Sequence, residues 1–196
     1  MVLVAEKSIS QTLELSAYSG RTTLQIQDPA TQQDYGIQVF LPKDYSGDIK
    51  YPVIYLLDAD NTLLMNFYLS IIDALVHYNS IPKSIIVGVN QKNRSKELGI
   101  LKDTASPGFL AFIRKTLVDS IDGKYATIGY NSYVGHSLGG QLLTYGFINF
   151  PEDFYSILTI SSALLYPNQQ NLFENEIILP LQDALRHTKG SSYYYS

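Results

Sequence analysis

Gly135-His136-Ser137-Leu138-Gly139 sets a serine between two glycines at the spacing of a nucleophile elbow. A hydroxyl held there can attack a carbonyl carbon if a histidine accepts its proton and a carboxylate holds that histidine in the right tautomer. The chemistry needs a sharp strand-to-helix turn, strained at the serine and bordered by small residues, with helix amides aimed at the developing oxyanion. Leu138 N–H is the natural first donor. The alternative is a glycine-rich turn with no chemistry, so the flanking sequence has to decide.

The flanks favour the elbow. "NSYVG" before Ser137 reads as a short strand and "GGQLLTYGF" after it as the start of a helix. Gly135 and Gly139 would avoid steric clash at the turn, and Gly140 would let the helix approach the strand closely. Further back, "YPVIYLLDAD" becomes a continuous apolar run from Val53 to Leu57, as in a strand buried on both faces, and "SIIVGVN" repeats the pattern. Between them, Leu64, Phe67, Leu69, Ile71, Ile72, Leu75 and Val76 recur at helical spacing over Leu63 to Tyr78. "FLAFIRKTLVDSI", "YSILTISSAL" and "NEIILPLQDALRH" continue the alternation of helix and strand. Near the amino end, Gln11 to Ala17 and Tyr35 to Pro42 alternate polar and apolar residues and read as half-buried strands, an antiparallel edge. Strands alternating with helices predict an α/β fold, a mostly parallel sheet with helices on both faces and ligands at the carboxyl ends of the strands.

The 196 residues make a single domain the expectation for 1–196. With 45% hydrophobic residues, 16 tyrosines and 8 phenylalanines, there is material for a packed core. A net charge of -4 with scattered Lys and Arg gives no basic stripe for nucleic acid. Cysteine is absent, which excludes disulfides, thiolate metal sites and a cysteine nucleophile. The opening residues Met1 to Lys7 are too short an apolar run for a signal core or membrane span, so the expectation is a soluble, cytoplasmic protein without membrane contact.

Five segments, "YPVIYLLDAD", "SIIVGVN" followed by "NRSKEL", "SPGFLAFIRKTLVDSIDGKYATIGYNSYVGHSLGG", "NFPEDF" and "ISSAL", together resemble the esterase D-like α/β-hydrolases, the group of the enterochelin (siderophore) esterases and mycolyltransferase antigens. The resemblance covers roughly Tyr35 to Tyr166. It implies the α/β-hydrolase fold, a small-molecule carboxylic ester as substrate, an acyl-serine on Ser137, and no metal or organic cofactor. In that family the turn after the third strand reads Leu-Leu-Asp-Gly-x, with the x amide as second oxyanion donor. Leu56-Leu57-Asp58-Ala59-Asp60 matches with Ala59 in place of glycine, which puts that donor at Asp60 N–H. A carboxylate at Asp60 would oppose the developing charge unless it points away. The side chains of Asp58 and Asp60 read as a polar cap on the next helix. The family's Asn-x-Arg-x-x-Asp stretch has its counterpart in Asn93, Arg94 and Glu97, so Arg94 becomes a candidate substrate-binding residue, against the commoner case of a surface arginine.

The chain order in this fold is serine, acid, histidine. His136 precedes the nucleophile, His77 ends a helix, and His187 is the histidine downstream of Ser137. "LPLQDALRHTKG" reads as a helix ending at Gly190, where His187 is accounted for as a carboxyl-end cap. The strand expected to precede the acid falls at "SSYYYS", so the expectation is a fold lacking its last strand-loop-helix unit. Two functional classes follow: a serine ester hydrolase, or an inactive hydrolase-fold protein or binding module. In either case a strand edge at "SSYYYS" invites pairing with a partner chain or a second copy.

Overall fold

The computed structural model describes residues 15–100 and 106–162. Among the described residues, six strands form one sheet in the order β1-β2-β4-β3-β5-β6. They are β1 (Thr22–Gln27), β2 (Asp34–Phe40), β3 (Tyr51–Leu56), β4 (Ile85–Val89), β5 (Thr127–His136) and β6 (Ser156–Ile160). β4, β3, β5 and β6 run parallel, while β2 is antiparallel to both β1 and β4. This is the mostly parallel sheet expected from the alternation of apolar runs and amphipathic segments, in the α/β-hydrolase arrangement that the resemblance implies.

The continuous apolar runs became the inner strands: β4 is buried along its whole length, and Val53, Tyr55 and Leu56 of β3 are fully enclosed. Burial on both faces is what helices on both sides of a parallel sheet produce. On one face lies α1 (Thr62–His77), whose Met65, Tyr68, Leu69, Ile72 and Val76 pack on Phe40, Leu56, Ile86 and Val134. The other face carries a rod made of α3 (Ser106–Ala111), a π-helical turn (Phe112–Thr116) and α4 (Leu117–Asp122), together with α5 (Leu138–Asn149). Phe109, Phe112, Ile113, Leu142 and Leu143 there enclose Tyr55 and Tyr133, whose rings stack 4.8 Å apart. Short α2 (Arg94–Leu98) follows β4. No helix among the described residues is long and apolar enough to cross a membrane.

The edge strand differs from its expected place. Residues 11–14 lie outside the described residues, and Ser16 and Ala17 form a bend whose amides both donate to the Asp73 carboxylate of α1. The strand that pairs antiparallel with β2 is Thr22–Gln27. Its turn is built by Asp28, whose carboxylate accepts from Ala30 N–H and Thr31 Oγ1 and whose backbone pairs with Gln32 and Gln33. Residues 28–33 are therefore a hairpin turn between two strands.

Candidate active site

β5 ends at His136 and α5 begins at Leu138, so one residue makes the turn. That residue is Ser137, at φ 55° and ψ -113°, a conformation that costs a non-glycine residue of order 1–3 kcal/mol. Its N–H donates to Ile160 O of β6 at 3.0 Å, and its carbonyl accepts from Gln141 N–H at 3.1 Å. The hydroxyl does not cap α5. Among the described residues it has no hydrogen-bond partner.

The space around the turn explains two of its glycines. A Cβ on Gly135 would sit 2.5 Å from Gly139 C and 2.7 Å from Gly139 O, so helix and strand can meet there only without a side chain. A Cβ on Gly140 would fall 2.2 Å from Ser162 Oγ. Gly139 corrects the sequence reading: its Cβ would meet ordinary contacts at 3.5–3.6 Å from Leu57 and Asp58, so clash avoidance does not require a glycine there.

The neighbouring turn after β3 supplies the other side of the site. Asp58 takes the left-handed conformation, φ 61°, and Ala59 does not. The family's glycine position therefore needs no glycine here. Asn61 N–H donates to Asp58 O, closing a four-residue turn, while Ala59 N–H donates to Val89 O and Gln38 Nε2 donates to Ala59 O. Leu138 N–H, in the first turn of α5, has no acceptor within its helix. Among the described residues, neither Leu138 N–H nor Asp60 N–H donates to a protein acceptor.

The side chains of this turn are used differently from the sequence reading. Asn61 is the residue that caps α1, its Oδ1 accepting from Leu64 N–H at 3.1 Å. Asp58 is buried, with Arg94 Nε 2.6 Å from its Oδ1 and Arg94 Nη2 3.0 Å from its Oδ2. Asp60 Oδ1 accepts from Gln91 N–H at 3.3 Å. Gln91 follows β4, which flanks β3 on the side away from β5, so the Asp60 carboxylate is drawn off from Ser137.

Arg94 is half-exposed, and its Nη2 also donates to His136 O at 3.2 Å. Glu97, in the same short helix, is buried and accepts from Gln33 Nε2 and Lys92 N–H. Tyr68 of α1 has its phenol pushed up to about 12, first by burial and then by the Asp58 charge, with Arg94 acting in the opposite sense. It stays protonated at neutral pH.

His77 is the last residue of α1 and lies edge-on to Tyr78. His136 offers its carbonyl to Arg94. His187 lies outside the described residues, as does "SSYYYS". Among the described residues no cluster of three or more His, Cys, Asp or Glu could hold a metal ion. Sequence reasoning missed Gln91, which donates from its backbone to Asp60 and accepts from Asp58 N–H at 2.8 Å through its side chain. It also missed Asp58 as the partner of Arg94; nothing local in the sequence signals either contact.

Residues 29–186 match a family model described as "Putative esterase". Sequence comparison with curated proteins gives no match. Among solved structures, the chain is similar to an IroE-like serine hydrolase from Shewanella oneidensis, with a TM-score of 0.67 and 26% identity over 85% of this chain and 56% of that one. It shares its fold with the BES protein from Bacillus cereus, at a TM-score of 0.70 and 19% identity over 97% and 76% of the two chains. The enterobactin esterase of Shigella flexneri aligns at a TM-score of 0.63 and 17% identity, over 77% of this chain and 39% of its own. The chain thus spans little more than half the length of the Shewanella protein.

Proposed function

The chain belongs to the Esterase family, and from that membership we propose that it hydrolyses a small-molecule carboxylic ester through an acyl-serine on Ser137. The observation that carries the reading is the strained Ser137 turn, flanked by two amides, Leu138 N–H and Asp60 N–H, that have no protein acceptor among the described residues. Strain at one serine, kept where a glycine would relieve it, fits a hydroxyl that has to stand clear of its helix.

Ser137 Oγ attacks the ester carbonyl carbon as its proton passes to a general base. The carbonyl oxygen gathers negative charge between Leu138 N–H and Asp60 N–H. Collapse expels the alcohol, which takes up the proton, and leaves the acyl group on Ser137; water attacks the acyl carbon, returns a proton to the serine and releases the acid. A half-exposed Arg94 suits contact with a polar or acidic group on the substrate. The base and its carboxylate have to come from outside the described residues, whether from residues such as His187 or from another chain. No metal or organic cofactor enters these steps.

A second reading is a hydrolase scaffold that binds without turnover. A p-nitrophenyl acetate and butyrate series on the wild type and Ser137→Ala separates the two. Turnover that falls on the order of 10³-fold or more in the variant is expected of the esterase, because oxyanion donors and binding alone leave a small residue of rate. Equal rates for the two proteins would establish the scaffold reading.

A further inference from the structure

Three turns from three consecutive strands of the sheet, β4, β3 and β5, meet at the site, and one side chain touches all of them. Arg94 stands at the start of α2 after β4. Its Nε–H and Nη2–H grip both oxygens of Asp58, in the turn after β3, and Nη2–H also reaches the carbonyl of His136, the last residue of β5. We propose that Arg94 is a positioning residue that holds the Asp60 amide and the Ser137–Leu138 elbow in mutual register; this rests on the reading of Ser137 as nucleophile.

The bonded atoms lie where the site's geometry is set. Asp58 is the left-handed residue of its turn and stands two residues before Asp60, so its orientation aims the Asp60 N–H. His136 O belongs to the peptide that leads into Ser137. The Asp58 carboxylate also lies against the elbow itself, 3.6 Å from where a Gly139 Cβ would be. A buried carboxylate without its counter-charge is costly, so Asp58 and Arg94 are held together and carry their two turns with them. The bidentate fork fixes direction as well as distance, which a lysine ammonium does not do. Asp58 is not needed as a helix cap, because Asn61 fills that place.

The test uses Arg94→Lys, Arg94→Met, Asp58→Asn and the Arg94→Met/Asp58→Asn pair in the full chain. For neutral p-nitrophenyl esters, a misaligned donor should lower kcat on the order of 10–10²-fold with KM little changed, in Arg94→Lys as in Arg94→Met. Methylguanidinium added to Arg94→Met should restore part of kcat. Independently of turnover, amide hydrogen exchange should quicken in peptides covering 56–64 and 134–142 together, and the double variant should go no further than either single one. Exchange that quickens only over 92–98, or not at all, overturns the proposal. So does a wild-type kcat in Arg94→Lys, or a KM increase confined to carboxylate-bearing esters, which would make Arg94 a substrate contact alone. If Ser137→Ala keeps the wild-type ester rate, the esterase reading falls, and the exchange pattern still decides whether Arg94 ties the turns.

Discussion

Replacing Gly135 and Gly139 one at a time by alanine puts the elbow to a quantitative test, since the two glycines of one motif should respond with opposite sign. At Gly135 the added methyl carbon would stand 2.5 Å from Gly139 C, 2.7 Å from Gly139 O and 2.8 Å from Gly140 N, all backbone atoms that cannot swing away. To reach ordinary contact the first turn of α5 must retreat from β5 by about 0.9 Å. Overpacking of that kind costs about 1–3 kcal/mol. At Gly139 the methyl would find Leu57 and Asp58 atoms at 3.5–3.6 Å, and the residue is helical, so alanine gains about 0.5–1 kcal/mol from backbone entropy. For a chain of this size about 2–4 °C of Tm accompanies each kcal/mol. Gly135→Ala should therefore melt about 2–12 °C below the wild type and Gly139→Ala about 1–4 °C above it. Thermal unfolding followed by circular dichroism reads both shifts. The retreat of α5 carries Leu138 N–H with it, so ester turnover, where present, should fall in Gly135→Ala. A Gly135→Ala protein that melts with the wild type, or a Gly139→Ala protein that loses as much as Gly135→Ala, would refute the packing account of the turn.

Two further outcomes follow from contacts that flank the site. Gly88→Ala would bring a Cβ to 2.8 Å from Ala59 Cβ and 2.9 Å from Met65 Cε, so it should destabilise by about 1–3 kcal/mol, and Ala59→Gly added to it should recover part of that loss in a denaturant-unfolding cycle. Asp73 balances burial, which would raise its pKa, against hydrogen bonds from Ala17 N–H, Ser16 N–H and the Ser16 hydroxyl and the charge of His77, and the net effect lowers it from 3.8. A lowered folded-state pKa stabilises above the unfolded value and loses that contribution as pH falls through the folded one. Asp73→Asn should thus be less stable than the wild type near neutral pH, with the gap closing below about pH 4 in urea titrations.

Where folding is decided by neighbours in sequence, the residues announced it. Val53 to Leu57 and Ile85 to Val89 are apolar without interruption because α1 covers one face of the sheet and α3 to α5 the other. The β5–Ser137–α5 turn was legible because its glycines, strand and helix are contiguous. The strand that pairs with β2 escaped the sequence reading for the opposite reason. Leu13, Leu15 and Ala17 alternate more cleanly than Leu24 and Ile26, yet a strand is chosen by its partner, and the hairpin closed by Asp28 gives Thr22–Gln27 one in β2. The π-helical turn at Phe112–Thr116 escaped notice in the same way. Arg114 within it is buried over the Phe150 ring and paired with Asp153.

The same distinction separates the two halves of the site. A backbone amide is fixed by chain position, so the motif and the family pattern alone are enough to propose Leu138 N–H and Asp60 N–H as donors. Side chains are fixed by what lies across the sheet. Asp58 read as a helix cap because an acid shortly before an amphipathic run usually is one, but a cap must sit at the one residue whose side chain reaches the first free amides, and Asn61 does. Released from that task and buried, Asp58 has to find a cation, and the one that reaches it stands 36 residues further on, beyond β4. Parallel strands make such long-range pairing ordinary, since each crossover returns the chain to the same end of the sheet. A carboxylate and an arginine placed just after adjacent strands will meet there whatever their separation in sequence. Arg94 thus came into view as a candidate substrate contact, and its partnership with Asp58 and His136 O emerges only when the three strand ends are brought together.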